Sequence, residues 1–403
     1  MDVRRRKAPR SARRDGPLSH SEHRDPRRSA GVPEDDVEAR KAQHLRLAVE
    51  HDVSTPRGAG WDDIHLIHQA LPAADLRAID LRTEFLGHEL QAPLMIAAMT
   101  GGHRGAVRVN ACLARAAERF GLAMGVGSQR AALRNPRLAE TYAVARREAP
   151  HAFLIGNIGA AQLVPQESGP PLSAAQLSSA VAMIRANALA IHLNFLEETV
   201  QPEGDRRTAG LREAIAAAIT LVGVPAIAKE TGAGISRETS LVLRELGFRA
   251  IDVGGVGGTS FAAIEAARAK AQGNRQRAGL GAVFRDWGIP TAVSVVAAGA
   301  AGLPLIATGG VRSGLDAAKA IALGASLVGV GRPLLGAALQ GDAAVEAWIT
   351  QFLEELRVAV FLSGGRASAD LRRAPKVVLG DTRAWIEQMG LPGGRALTLE
   401  PRA

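Results

Sequence analysis

Short apolar runs and longer amphipathic stretches alternate along the chain from residue 93 onward. The apolar runs occupy residues 93–99, 122–126, 153–156, 189–193, 225–228, 250–253, 304–307 and 327–330, and predict β-strands. Between and after them, residues 107–120, 174–187, 236–246, 314–323 and 345–361 carry apolar side chains at helical spacing. Eight strand–helix units in series predict an α/β fold of the closed (β/α)8 TIM-barrel type; a doubly wound sheet competes, but eight regular units favour closure. The sixth and seventh strands stand farther apart than the others. The basic, Gly-containing stretch 270–287 between them is expected to be an excursion loop that covers the site. Upstream, residues 38–49 have helical spacing. Residues 1–36 are rich in Arg, Pro, Ser and Asp and hold almost no apolar side chains, which predicts a disordered tail. The expected division is therefore a tail at 1–36, an extension closing over the site at 37–92, the barrel at 93–385 and a C-terminal tail at 386–403.

Charge alters this picture little. The chain of 403 residues has 49 Lys+Arg against 40 Asp+Glu, a net +9. Ten basic and four acidic residues fall within the first thirty, so +6 of the +9 belongs to the tail and the barrel is nearly balanced. Nucleic acid is not the expected partner of the barrel. Aromatic residues are only 3% of the chain, too few for a base-stacking platform. The one cysteine, Cys112, excludes an intramolecular disulfide and a CxxC pair, and fits a cytoplasmic setting. The uncharged stretch 288–311 holds two prolines and five glycines, so it reads as helix plus strand and not as a membrane span.

In such a barrel the chemistry lies at the C-terminal ends of the strands. There the sequence places Met99-Thr100-Gly101-Gly102, Gly127-Ser128-Gln129-Arg130, Asn157-Ile158-Gly159, His192-Leu193-Asn194, Lys229-Glu230-Thr231-Gly232, residues 254–259, Thr308-Gly309-Gly310-Val311-Arg312 and Gly331-Arg332. Glycines after strands seven and eight, each followed by a helix, let backbone N–H groups approach an anion; one such loop could be only a tight turn, but the pair favours phosphate. Lys229 ends strand five. It reads as a Schiff-base nucleophile, as a cation beside a developing anion, or as a surface lysine paired with Glu230. His192 and Asn194 share one side of strand four. Glu197, Glu198, Glu203 and Asp205 follow, either as a Mg²⁺-binding cluster near a phosphate or as a solvated acidic loop. Two competing barrel chemistries are disfavoured. No histidine lies after His192, where a hydroxy-acid oxidase needs one, and Cys112 sits mid-helix, where it cannot serve as a catalytic-loop nucleophile.

Taken together, these blocks resemble the type 2, FMN-dependent isopentenyl-diphosphate isomerases. The likeness runs from Arg40 to Trp385 and includes Arg40-Lys41-Ala42-Gln43-His44, Gln201-Pro202-Glu203-Gly204-Asp205, Gly257-Gly258-Thr259-Ser260 and Trp287-Gly288-Ile289-Pro290-Thr291. The resemblance implies a barrel binding reduced FMN and Mg²⁺, with NADPH as flavin reductant. It implies conversion of isopentenyl to dimethylallyl diphosphate without net redox change, by a homo-oligomer, tetramer or octamer. It implies that Met99, Thr100, Ser128, Asn157, Lys229, Ser236 and Thr259 line the flavin, and that Gly309, Gly310, Arg312 and Gly331 hold its phosphate. By the same resemblance Arg40, Lys41, His44, Arg130, His192 and Asn194 hold the substrate diphosphate, Glu198 reaches Mg²⁺, and Glu197, His192 and Lys229 serve catalysis.

One departure stands out. The family's usual segment is Asn-x-x-Gln-Glu, whereas this chain reads Asn194-Phe195-Leu196-Glu197-Glu198, with an acid at the Gln position beside the substrate. An ionised carboxylate only accepts hydrogen bonds, whereas an amide also donates. Three outcomes are open at this stage: isomerase chemistry with a protonated Glu197, an extra Mg²⁺ ligand, or diversion to another prenyl diphosphate.

Overall fold

A computed structural model describes residues 41, 43, 46, 47 and 52–392; the predicted tail, Arg40 and His44 lie outside these. Eight parallel strands close a barrel: β1 (Leu94–Ile96), β2 (Ala123–Gly125), β3 (Phe153–Gly159), β4 (Ala188–Leu193), β5 (Ala226–Glu230), β6 (Ala250–Asp252), β7 (Leu305–Thr308) and β8 (Leu327–Val330). Closure is made where β8 pairs with β1, Val328 opposite Leu94. Within residues 52–392 the helices are α1 (Ala106–Phe120), α2 (Arg130–Arg134), α3 (Glu140–Glu148), α4 (Ala174–Met183), α5 (Phe195–Val200), α6 (Leu211–Leu221) and α7 (Arg237–Glu245), then α8 (Phe261–Ala271), α9 (Arg275–Val283), α10 (Thr291–Ala298), α11 (Gly314–Ala322), α12 (Arg332–Gln340), α13 (Asp342–Leu362) and α14 (Gly380–Gln388).

The strands are buried on both faces, which is why they read as continuous apolar runs and not as alternating ones. Met95, Phe153, Ile155, Ile227 and Ile306 fill the barrel's interior. A short antiparallel hairpin, Thr83–Phe85 with His88–Leu90, seals the end where the strands begin. Its Phe85 is fully buried and meets Phe153 edge-on at 5.9 Å; burying a side chain of that size is worth about 2–3 kcal/mol. Cys112 is buried in α1, its thiol pushed up to about 12 by desolvation, so it serves the core. Residues 288–311 form α10 and β7, as the pattern predicted. Among the described residues no helix is long and apolar enough to cross a membrane.

Three expectations change. The stretch 270–287 is not a loop: α8 and α9 form a packed helical hairpin between β6 and β7. The extension 52–92 serves both ends of the barrel, since Ser54 bridges to Thr259 at the open end while the hairpin plugs the other. Packing also continues past residue 385, with Ile386 and Leu391 buried against Val293 and Ala297.

Candidate active site

At the C-terminal ends of the strands a cavity of about 840 Å³ opens, and residues from all eight strand ends line it. One end is built of bare backbone. Gly309 and Gly310 after β7 have φ of 120° and 69°, in the region that favours glycine. A Cβ on Gly309 would fall 2.3 Å from the Gly255 carbonyl oxygen, and one on Gly310 would fall 2.5 Å from that of Gly257. Only unsubstituted turns fit, and this brings peptide groups to the cavity wall. Ser313 caps α11 by accepting the Asp316 N–H, while Arg312 donates to Gly257 O at 3.1 Å. Gly331 begins α12 on the same wall. Two hydroxyls on the lining, Ser128 Oγ and Thr308 Oγ1, are buried without a hydrogen-bond partner among the described residues. Unpaired buried groups are costly, so they mark where a polar ligand belongs.

The middle of the cavity carries Met99, Thr100, Asn157, Lys229 and Thr259. Lys229 is not a surface lysine paired with Glu230. Its Nζ donates to Asp252 Oδ2 at 2.9 Å and to the Glu230 carbonyl at 3.1 Å, and both partners are buried. These two bonds fix the position of Nζ, which suits a fixed cation better than a Schiff-base nucleophile that must move onto a carbonyl. The Glu230 carboxylate accepts three backbone N–H groups, from Thr231, Gly232 and Ala233, and so shapes the turn after β5. Burial pushes its pKa up to about 7 against the pull of those three donors.

The other end is polar. His192 is buried, and its Nδ1 lies 2.8 Å from Asn157 Oδ1. The Asn157 amide donates to Val126 O, which aims its oxygen at the imidazole and places the ring proton on Nδ1. Burial, reinforced by Lys229, Lys41 and Arg130, drives the His192 pKa down to about 3, so the ring is neutral. Lys41 Nζ donates to Ser128 O at 2.6 Å and to Tyr142 Oη at 2.8 Å. Asn194 Nδ2 donates to Glu197 Oε2 at 3.0 Å and to Glu198 Oε1 at 3.1 Å, so one amide gathers both carboxylates. Burial raises the Glu198 pKa against the pull of the Asp205 N–H, which its Oε2 accepts at 2.7 Å.

Of the four acids after β4, only Glu197 and Glu198 line the cavity. Glu203 turns to Arg268, and Asp205 pairs with Arg130 at 2.7 Å and with Ser168. No group of three or more His, Cys, Asp or Glu arranged to hold a metal occurs among the described residues. Ser236 is also placed differently: its hydroxyl caps α7, accepting the Thr239 N–H, and it does not line the cavity. Every other candidate within the described residues does. Asp252 was missed because it reads as the polar end of an apolar run; its significance appears only once β5 and β6 lie side by side.

A family model for FMN-dependent dehydrogenases matches residues 45–144 and 212–377, and the chain belongs to that family. The fold agrees with two solved mandelate oxidase structures, one with a monooxide FMN adduct (19% identity, 84% of this chain and 92% of that one, TM-score 0.53) and one with (S)-mandelic acid (17%, 86% and 98%, 0.55). Much nearer in sequence is the isopentenyl-diphosphate delta-isomerase of Methanoregula boonei, 51% identical over 351 residues that cover 87% of this chain and 96% of that protein. The isomerase of the same name from Halobacterium salinarum is 46% identical over 87% and 96%. Within the family, then, the chain belongs with the isopentenyl-diphosphate delta-isomerases.

Proposed function

We propose that this protein isomerises isopentenyl diphosphate to dimethylallyl diphosphate, using bound FMN and no net redox change. The observation that carries the reading is a cavity with two ends suited to anions: bare peptide at β7 and β8, and the cations Lys41 and Arg130 at the other. FMN fits the first end, where Gly309, Gly310, Arg312 and Gly331 would hold its phosphate and the orphaned Ser128 and Thr308 hydroxyls would find polar partners. When bound in its reduced form, FMN supplies the acid–base chemistry that adds a proton to the terminal alkene carbon and removes one from C2. Lys229, fixed by Asp252, favours an anionic ring beside it.

The substrate diphosphate takes the second end. Arg130, held by Asp205 through Nη1 and by Ser168 through Nη2, fixes a cation on that wall, and Asn194 holds the two acids to one side. Mg²⁺ fits this donor set: it keeps several waters and needs one or two carboxylates plus phosphate oxygens. Glu198, with Glu197 beside it, would supply the carboxylates. The likeness to isopentenyl-diphosphate delta-isomerases at 51% and 46% identity supports the five-carbon isomerase over a diverted enzyme, and Glu197 beside Glu198 would offer the metal a second carboxylate. NADPH as reductant, a cytoplasmic setting and a homo-oligomeric state complete the proposal. Anaerobic incubation with FMN, a reductant, Mg²⁺ and isopentenyl diphosphate should yield dimethylallyl diphosphate; absence of product would remove the reading.

A further inference from the structure

The buried guanidinium of Arg268, on α8, lies outside the cavity and is not used by the mechanism above. Its surroundings are unusual. Nη1 meets Glu265 Oε2 at 2.5 Å, Nη2 meets Glu203 Oε1 at 2.8 Å, and Nε faces Gln43 Oε1 at 3.4 Å. Each partner belongs to a different part of the chain. Glu265 lies one helical turn back on α8, Glu203 belongs to the turn that follows α5, and Gln43 sits two residues from Lys41 in the N-terminal segment.

The hairpin that carries Arg268 also grips α5 directly. Arg277, on α9, donates to Thr199 O near the C-terminal end of α5. Gly281 lets the helices touch, since a Cβ there would fall 2.6 Å from Ala262 O and 2.9 Å from Val200 Cγ1. Meanwhile Lys41 is fastened on the opposite side of the mouth, to Ser128 O after β2. Lys41 thus bonds the β2 turn while Gln43, two residues on, faces Arg268, and Arg268 holds at the same time the turn after α5.

We propose that Arg268 is a positioning residue that sets Gln43, and with it Lys41, in register with the turn that follows the Glu198-bearing helix α5, so that the Lys41 cation and the carboxylates of α5 face the diphosphate together. A planar guanidinium can serve three partners in fixed directions; an ammonium cannot reproduce that fork. Glu203 is drawn from the acidic cluster to serve this link and is not a metal ligand. The inference rests on the diphosphate reading of this end of the cavity.

The test uses full-length Arg268→Gln, Arg268→Lys and Glu203→Gln, each loaded with FMN. Three quantities are measured: FMN affinity by flavin fluorescence, inorganic diphosphate affinity with Mg²⁺ by calorimetry, and kcat and KM for isopentenyl diphosphate. In Arg268→Gln the expected result is FMN affinity within twofold of wild type, diphosphate affinity weakened about tenfold, KM raised in parallel and kcat within threefold. Arg268→Lys should recover only part of the loss. Glu203→Gln, at a partly exposed position, should weaken diphosphate binding in the same direction, and the Arg268→Gln/Glu203→Gln double variant should be no worse than the worse single one. It is the readout should Arg268→Gln fail to fold. Unchanged diphosphate affinity in Glu203→Gln, full recovery by Arg268→Lys, or a fall in kcat at constant KM would overturn the proposal. Wild-type protein that binds Mg²⁺ and diphosphate but does not isomerise would overturn the functional reading and leave the positioning role standing.

Discussion

Glu197→Gln is the substitution whose consequence can be worked from the structure most fully. Asn194 Nδ2 donates at 3.0 Å to one carboxylate and 3.1 Å to the other, so those two oxygens lie no farther apart than the bonds laid end to end, about 6 Å. Unit charges at that spacing repel by about 3 kcal/mol at an effective dielectric of 20. Glu197 is only partly buried, and solvent screening reduces this to about 1–2 kcal/mol, roughly tenfold in a binding constant. Neutralising Glu197 removes one negative charge from the rim of an anion site and adds a donor. A diphosphate oxygen about as far from Glu197 as Glu198 is would meet a similar repulsion, so inorganic diphosphate in Mg²⁺-free buffer should bind about tenfold tighter by calorimetry, while the Mg²⁺ concentration for half-maximal activity rises about tenfold, because one carboxylate is lost. Isomerisation itself should persist. Unchanged diphosphate affinity would refute the electrostatic reasoning. Complete loss of isomerisation with diphosphate binding intact would make the carboxylate a required acid or base.

Three further outcomes follow from the same geometry. Burial holds the His192 pKa at about 3, below its ordinary 6.5, so the unfolded chain binds a proton over that window and the folded chain does not; stability should fall as pH drops through it, by about 1.4 kcal/mol per unit. Glu230 and Glu198, raised by burial, act in the opposite sense, and comparison with His192→Gln cancels them: urea melts at pH 7.5 and 5 should show a smaller loss in the variant. Lys229→Met leaves Asp252 buried without its cation and should cost about 3–5 kcal/mol in denaturant unfolding; adding Asp252→Asn should restore most of the stability and none of the activity. Gly309→Ala drives a Cβ into Gly255 O, and its FMN affinity by fluorescence should fall about a hundredfold or more with circular dichroism unchanged.

The barrel was legible in the sequence because its strands are buried on both faces, so apolar runs alone mark them. Boundaries shifted where local chemistry misleads. β3 runs on to Gly159, although Gly156-Asn157-Ile158-Gly159 reads as a turn, because a Cβ at Gly156 would press on Gln129 and Leu189 and the barrel needs that space. The helix after β3 stops at Met183, four residues short of the expected 187. There Arg185 takes a left-handed φ of 44°, and the Asn187 side chain bonds Arg146 and Leu154 N. The α8–α9 hairpin was hidden by its basic, Gly-containing sequence; its apolar partners lie on α5 and on the N-terminal segment, far away along the chain. Site residues on strand ends were legible because the fold rule aims them at one face. Asp252 and Arg268 were not, because their roles come from partners 23 and 65 residues distant.

The central claim is that flavin works here without net electron transfer. It is tested most directly by following reduced-flavin absorbance and product together in one anaerobic cuvette containing the FMN-loaded protein, Mg²⁺ and excess isopentenyl diphosphate. Many equivalents of dimethylallyl diphosphate per protein should form while the flavin stays reduced. No product, or one flavin oxidised for each product formed, would contradict it.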